Sequence, residues 1–385
     1  MTVPSRVPMY EHGKLYQLQK QEIDDAVRRV IEKGVFDWGD EVAAFEEEFA
    51  SWNGVEHAVS VNSGTAAIKI ALLAANVGRG DEVITVPNTD ISSSSGIRHT
   101  GADVVWVDIE PLSRTMDTQA LRRAITNRTK AILPVDLFGH PANMPEIMDI
   151  ASQQGLVVIE DACLALGATI DGRKVGGFAT ATCFSFAPKK HLGSYGSGGA
   201  ILTRNGAFAE RMRKLSAYGQ SRHRHRSNTT VAGNTGLYIE EEGSNEQLDE
   251  LQAAILRVKL RDFAQTLGTR RNQAARYSQA LRNLPLDLPN CLEGFEHAWR
   301  NYVLEHDDRD RIRLYLSNNG VQTNLSYSPP MHLQPVYRSM NKGENSFPVT
   351  ERSCSRLFGL PIGPHVDDEQ LEHVLQTLHS FFGSH

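Results

Sequence analysis

The sequence is short of the features that mark several common protein classes. Cysteine is scarce: Cys163, Cys183, Cys291 and Cys354 are the four in 385 residues. They are widely separated and no C-x-x-C pair occurs, so neither a zinc site nor a disulfide framework is indicated. Isolated thiols of this kind suit a reducing compartment. No apolar run approaches the roughly 18 residues of a membrane span, and the opening MTVPSRVPMYEHGK has no apolar signal core. Positive charge is not in excess: 40 Lys and Arg against 46 Asp and Glu give a formal charge of -6. That balance gives no reason to expect nucleic acid or a membrane surface as a partner, and a cytoplasmic location is expected. What remains is an ordinary globular composition, 40% hydrophobic and 22% charged. The chain is long enough for one large domain and a smaller one.

Periodicity divides the chain. Apolar residues at helical spacing predict helices over 19–33 and 40–52. Short apolar runs then alternate with helical stretches: HAVSVNS, DEVITVP, DVVWVDI, KAILPVD and LVVIED, with CFSFA and GGAILT closing the series. This alternation predicts an α/β fold with a mainly parallel sheet covered by helices on both faces. From about Glu246 the character changes. One long helix is expected over 245–281, then a strand over 301–306, a helix over 309–319, the Pro-rich loop SYSPPMHLQP and a terminal helix from Asp368. These suggest a large domain over 1–260 and a smaller α+β domain over 261–385. The polar stretch SRHRHRSNTTVAGNTG reads as a long loop.

Three segments carry candidate chemistry. NSGTAA follows a strand and opens a helix. There, backbone N–H groups and the hydroxyls of Ser63 and Thr65 could meet an anion, or the turn could be a plain helix cap. In VVIEDACLALGA, Asp161 stands at the carboxyl end of an apolar strand, where open α/β sheets place their ligands. It could pair with a protonated pyridine nitrogen or merely cap a helix. In CFSFAPKKHLGSYGSGGAIL, Lys189 and Lys190 lie between a strand and a Gly-rich segment. A partly desolvated lysine would hold a neutral amine able to form an imine; surface lysines before a hairpin are the alternative.

The order of these pieces resembles the DegT/DnrJ/EryC1/StrS family of sugar aminotransferases, nearly end to end. The signatures are NSGTAA, DEVITVPNT, EDACLALGA, SFAPKKHLGSYGSGGA, GSNEQLDELQAAIL and YSPPMHLQPVY. The resemblance implies the type I (aspartate-aminotransferase-like) fold of pyridoxal-phosphate (PLP) enzymes, with the large domain binding the cofactor. It implies Lys190, not Lys189, as the lysine that holds PLP, and Asp161 as partner of the ring nitrogen. Ser63, the amides of Gly64 and Thr65, and the Ser185 hydroxyl would surround the phosphate. Asn245 would reach the phosphate of a neighbouring subunit, which implies a homodimer with shared sites. Three positions depart from the family pattern: Asp90 where an aromatic usually covers the ring, Leu164 where His or Gln usually stands, and Gln247 where Arg is usual.

The implied reaction moves an amino group from glutamate or glutamine to a keto group of a nucleotide-linked keto-deoxysugar. Keto-cyclitol or nucleotide-free keto-sugar acceptors are the rival within the class, and a non-catalytic PLP-binding regulator is the rival outside it. The dehydratase branch of the family replaces the lysine with histidine; here Lys190 is present and His191 follows it. Tyr327 and His332 in the Pro-rich loop, and Arg222 and Arg224 in the basic loop, are candidates for substrate contact.

Overall fold

The computed structural model describes residues 6–220, 239 and 241–383. Its centre is a seven-stranded sheet in the order β1-β9-β8-β5-β4-β2-β3. In chain order the strands are β1 (His57–Val61), β2 (Glu82–Thr85), β3 (Asp103–Trp106), β4 (Thr129–Ile132) and β5 (Val157–Asp161). After the two-residue β6 (Thr169–Ile170) and β7 (Arg173–Lys174) come β8 (Ala181–Ser185) and β9 (Gly199–Thr203). Pairings from β3 through β2, β4 and β5 to β8 are parallel; β9 runs antiparallel to both β8 and β1. The mainly parallel sheet expected from the sequence is present, with β9 as its one reversed strand. Interior strands such as β2 and β9 are continuous buried runs because helices cover both faces.

The helix Gly64–Ala74 shows why. It is buried on nearly every side, apolar enough to sit between the sheet and two outer helices. Gly96 on the helix Ile91–Arg98 makes the closest approach, since a Cβ there would lie 2.6 Å from Ile68. On the other face, Phe45, Phe49, Phe184 and Phe186 interlock with ring centroids 5.3–5.5 Å apart, mostly edge to face.

Beyond the sheet, the single helix expected over 245–281 is two helices, Glu250–Arg261 and Phe263–Leu281, separated at Asp262. Residues 245–249 are not helical. Asp249 caps the first helix through Gln252 N at 2.8 Å. The preceding segment is captured by residues beside the sheet: Asn62 N donates to Glu246 O at 2.8 Å and Glu246 N to Ser216 O at 3.0 Å. Glu250 is buried, and its carboxylate accepts from the amides of Gly39 (3.0 Å), Glu41 (2.8 Å) and Val42 (3.1 Å). It thereby caps the helix Asp40–Asn53 from a distant part of the chain.

Apolar clusters divide within the helix Phe263–Leu281. Phe263 and Leu267 join the core of the sheet, whereas Ala274, Tyr277 and Leu281 join a C-terminal cluster. That second cluster packs around a two-stranded sheet, β11 (Tyr302–Glu305) with β12 (Leu357–Leu360), and the terminal helix Asp368–Gly383. The small strand β10 (Phe295–Glu296) pairs with β6. Val7 also belongs to the C-terminal cluster, bridging to Val321, so the start of the described chain is anchored far from its sequence neighbours. Among the described residues, no helix is long and apolar enough to cross a membrane.

Candidate active site

Because all strands of the seven-stranded sheet but β9 point the same way, their carboxyl ends form one rim. Ser63 and Gly64 follow β1, Asp90 follows β2, Asp161 ends β5, and Ser185 ends β8 with Lys190 just after it. This is the edge at which open α/β sheets bind ligands.

The turn after β1 is an anion cradle in form. Ser63 is the N-cap of Gly64–Ala74, its Oγ accepting from Ala66 N at 3.1 Å. The amides of Gly64 and Thr65 have no hydrogen-bond partner among the described residues. They point out of the positive end of a buried helix. A Cβ on Gly64 would lie 2.8 Å from Ser185 Cβ and 2.9 Å from Cys163 Sγ. Only glycine lets the three motif segments close around one point.

Asp161 is buried and oriented by two donors. Ser93 Oγ donates to Oδ2 at 2.7 Å, and Cys163 N donates to Oδ1 at 3.2 Å. Thr89 Oγ1 lies 2.7 Å from Ser93 Oγ. Since the single Ser93 proton goes to Asp161, Thr89 must be the donor of that second bond. Lys190 Nζ has no hydrogen-bond or ion-pair partner among the described residues. Burial pulls its amine below the ordinary lysine range and the charge of Arg300 pushes the same way, while Asp161 and Asp90 oppose them. Lys189, by contrast, is exposed, with its Nζ 5.8 Å from the Tyr10 ring centre. His191 is engaged with Leu166 O at 2.9 Å and is held neutral, chiefly by burial.

The remaining candidates fall into place unevenly. Asp90 is exposed and caps the helix Ile91–Arg98, accepting from Ser92 N at 2.9 Å; its charge also acts on Lys190 and Tyr327. Leu164 is buried in the apolar cluster that contains Phe138. Tyr327 stacks on Phe138 at 6.0 Å between ring centres and lies within electrostatic reach of Asp90, Asp161 and Arg300. Burial pushes its hydroxyl up. His332 is engaged elsewhere: buried, with Nε2 3.1 Å from Glu351 Oε1 and its ring against Phe347. Asn245 is exposed and bridges to Ala217. Arg222 and Arg224 lie outside the described residues.

Four residues that sequence reasoning passed over join this group: Thr89, Ser93, Tyr10 and Arg300. Arg300 had a visible signal, a permanent charge leading into the apolar strand NYVL, and Thr89 ends the DEVITVPNT segment; Ser93 and Tyr10 had none. Among the described residues no cluster of potential metal ligands exists.

These features suit PLP on their own terms. The cradle offers free amides and a serine hydroxyl to a phosphate, the unpaired Lys190 amine can bond to an aldehyde carbon, and the anchored Asp161 carboxylate can hold a ring N–H. A doubly covered, mainly parallel sheet with such a rim defines a type I PLP-dependent transferase. A model of the DegT/DnrJ/EryC1/StrS aminotransferase family matches residues 17–379. The chain belongs to that family and is a PLP-dependent sugar aminotransferase. A Saccharopolyspora erythraea protein described as the erythromycin biosynthesis sensory transduction protein EryC1 is 40% identical over 374 residues, 97% of this chain and 98% of its own. The dTDP-3-amino-3,4,6-trideoxy-alpha-D-glucose transaminase of Streptomyces venezuelae is 37% identical over 97% of this chain and 95% of its own. The crystal structure of S. venezuelae DesV in complex with a ketimine intermediate superimposes with a TM-score of 0.92 at 36% identity, covering 98% of each chain.

Proposed function

We propose that the enzyme moves an amino group from L-glutamate or L-glutamine to the keto carbon of a nucleotide-linked keto-deoxysugar, in the making of an amino sugar. The observation that carries the site assignment is the pairing, on one rim, of an unpartnered, half-buried amine at Lys190 with the doubly hydrogen-bonded Asp161. What supports the acceptor class is the company of relatives named as dTDP-sugar and UDP-sugar aminotransferases.

In this reading Lys190 holds PLP covalently, and Gly64, Thr65 and Ser185 bind its phosphate. PLP, when bound, supplies the electron sink that lets a bond at the substrate carbon break. Asp161 holds the proton on the ring nitrogen, and Ser93 and Thr89 keep Asp161 aimed. Once the donor amine has displaced it, Lys190 Nζ removes the proton from the donor α-carbon. In the acceptor half it gives a proton to the sugar carbon that gains the amine. Asp90 and Tyr327 border the space the substrate enters. The enzyme acts as a homodimer, with Asn245 of each chain reaching the phosphate held by the other; its exposure in the single chain accords with that role.

The test is a screen of the pyridoxamine-phosphate form against dTDP- and UDP-linked keto-sugars and free keto-cyclitols. Return of the PLP absorbance with a nucleotide-linked ketone alone is expected. Turnover of a cyclitol and no nucleotide sugar would move the acceptor to the rival class.

A further inference from the structure

Arg300 is the most unusual charge near the site. It is 5% exposed, and no carboxylate pairs with it among the described residues. Its Nη2 donates to Tyr10 Oη at 3.4 Å and to the carbonyl of Lys189, the residue beside Lys190. Its Nε is buried without a partner, and Nη1 makes no hydrogen bond to a described residue. The Tyr10 ring lies 5.2 Å from the guanidinium carbon. Arg114, also buried, is by contrast matched: its Nε meets Glu305 Oε1 at 2.5 Å.

The backbone of Arg300 is itself clamped. Arg270 Nη1 donates to the carbonyls of Trp299 (3.1 Å) and Arg300 (3.3 Å), and to Ile362 O at 3.1 Å. Arg270 also lacks a carboxylate partner among the described residues. Burial and the charge of Arg300 pull it down to about 9. Two buried arginines are therefore linked, one guanidinium holding the backbone carbonyl of the other, and neither pairs with a carboxylate among the described residues. A charge left unpaired in low dielectric is costly, so its retention beside Lys190 calls for an anion that arrives from outside.

The chemistry of the donor says which anion. An amino acid must bring its amine to the position of Lys190 Nζ, and its α-carboxylate is one carbon from that amine. A receptor for that carboxylate must therefore stand directly beside Lys190, as Arg300 does through its bond to the Lys189 carbonyl. The phosphates of a nucleotide sugar are separated from the reacting keto carbon by the sugar ring and lie farther out. A guanidinium with free, fixed donors is the group best matched to a carboxylate.

We propose that Arg300, backed by Arg270 and flanked by Tyr10, is the receptor for the α-carboxylate of the amino-acid donor. The inference rests on the donor class given above, and names the residue that selects an α-amino acid over a simple amine.

The measurement is a ratio, which is insensitive to general damage. The donor half-reaction of the holoenzyme is followed by cofactor absorbance with L-glutamate, with L-glutamine and with isoglutamine, the α-amide of glutamate. Wild type should prefer the α-carboxylates over the α-amide. Arg300→Gln should cut that preference by about 10- to 100-fold, the loss of one charge-assisted hydrogen-bond pair, and Arg300→Lys should keep part of it. Titration with 2-methyl-L-glutamate, which has no α-proton to lose, should show the same fall in affinity.

Equal slowing with all donors would make Arg300 a structural residue and overturn the assignment. So would a change confined to the glutamate-to-glutamine preference, or weaker inhibition by thymidine or uridine diphosphate with donor preference intact. Wild-type enzyme that accepts no α-amino acid would remove the donor reading itself, and this inference with it.

Discussion

Ser93 Oγ donates to Asp161 Oδ2 at 2.7 Å from inside the helix that follows β2, so the aspartate is oriented by an element of a different strand. Ser93→Ala removes that bond and leaves Thr89 without its acceptor at that point. A neutral-partner bond to a charged group contributes about 1.5–3 kcal/mol. The donor half-reaction, followed by rapid mixing, should slow by about one to two orders of magnitude while cofactor content stays near wild type. An unchanged rate would mean that Asp161 is aimed by Cys163 N alone.

Reduction of the holoenzyme with borohydride, followed by peptide mapping, should place the cofactor adduct on Lys190. Lys190→Ala should abolish the adduct and the donor half-reaction, whereas Lys189→Ala should keep both. Burial lowers the Lys190 amine, so in the apoenzyme the neutral form persists to a pH below the ordinary lysine range. The rate of PLP rebinding to Lys190 should accordingly level off at lower pH than imine formation with an exposed lysine. A rate that keeps climbing through the usual lysine range would contradict this.

Asn245 is tested by mixing. Lys190→Ala and Asn245→Ala subunits are each expected to be impaired, the second through weaker cofactor retention by about an order of magnitude. After subunit exchange, one site of a mixed dimer would combine Lys190 with an intact Asn245 from its partner, and activity should return in that site. A mixture that stays inactive after verified exchange assigns Asn245 to its own chain.

Glu160 is fully buried within β5, held by Thr182 Oγ1 at 2.7 Å, and burial raises its carboxyl to about 7; Asp136 is raised for the same reason. Between an unfolded value near 4.5 and the folded value near 7, the folded protein therefore binds more protons than the unfolded chain. Its stabilising contribution is complete at the acid end of that window and is lost as pH rises through about 7. Denaturant titrations of Glu160→Gln should show a shallower loss of stability from pH 5 to 8 than wild type. A parallel curve would show that Glu160 ionises as freely folded as unfolded.

The sequence made some of this plain and hid the rest for identifiable reasons. The placement of Lys190, Asp161 and Gly64 on one rim was legible because each lies within a few residues of a strand end, in a segment whose composition announces both the strand and the turn. The break at Asp262 was not, since no Gly or Pro stands near it to mark an end between the two helices. Residues 245 and 246 were expected to begin the long helix, but Asn62 and Ser216 capture the backbone of Glu246. His332 stood in a suggestive loop, but Glu351, a full loop and helix start away, takes its Nε2. Tyr10 reaches the site only because Val7 is fastened into the C-terminal core, a contact that no local pattern announces.

The reversed direction of β9 has a consequence for how the lysine segment can vary. A parallel neighbour of β8 would need a crossover across the sheet face, and the chain would leave the rim for good. Because β9 turns back instead, the residues between Ser185 and Gly199, a pair matched across β8 and β9, depart from the rim and return to it. The lysine thus rides on a tether with both ends fixed at one place. Lengthening, shortening or reshaping that tether alters where the amine hovers without shifting any strand's register, so catalytic reach and sheet assembly can change independently.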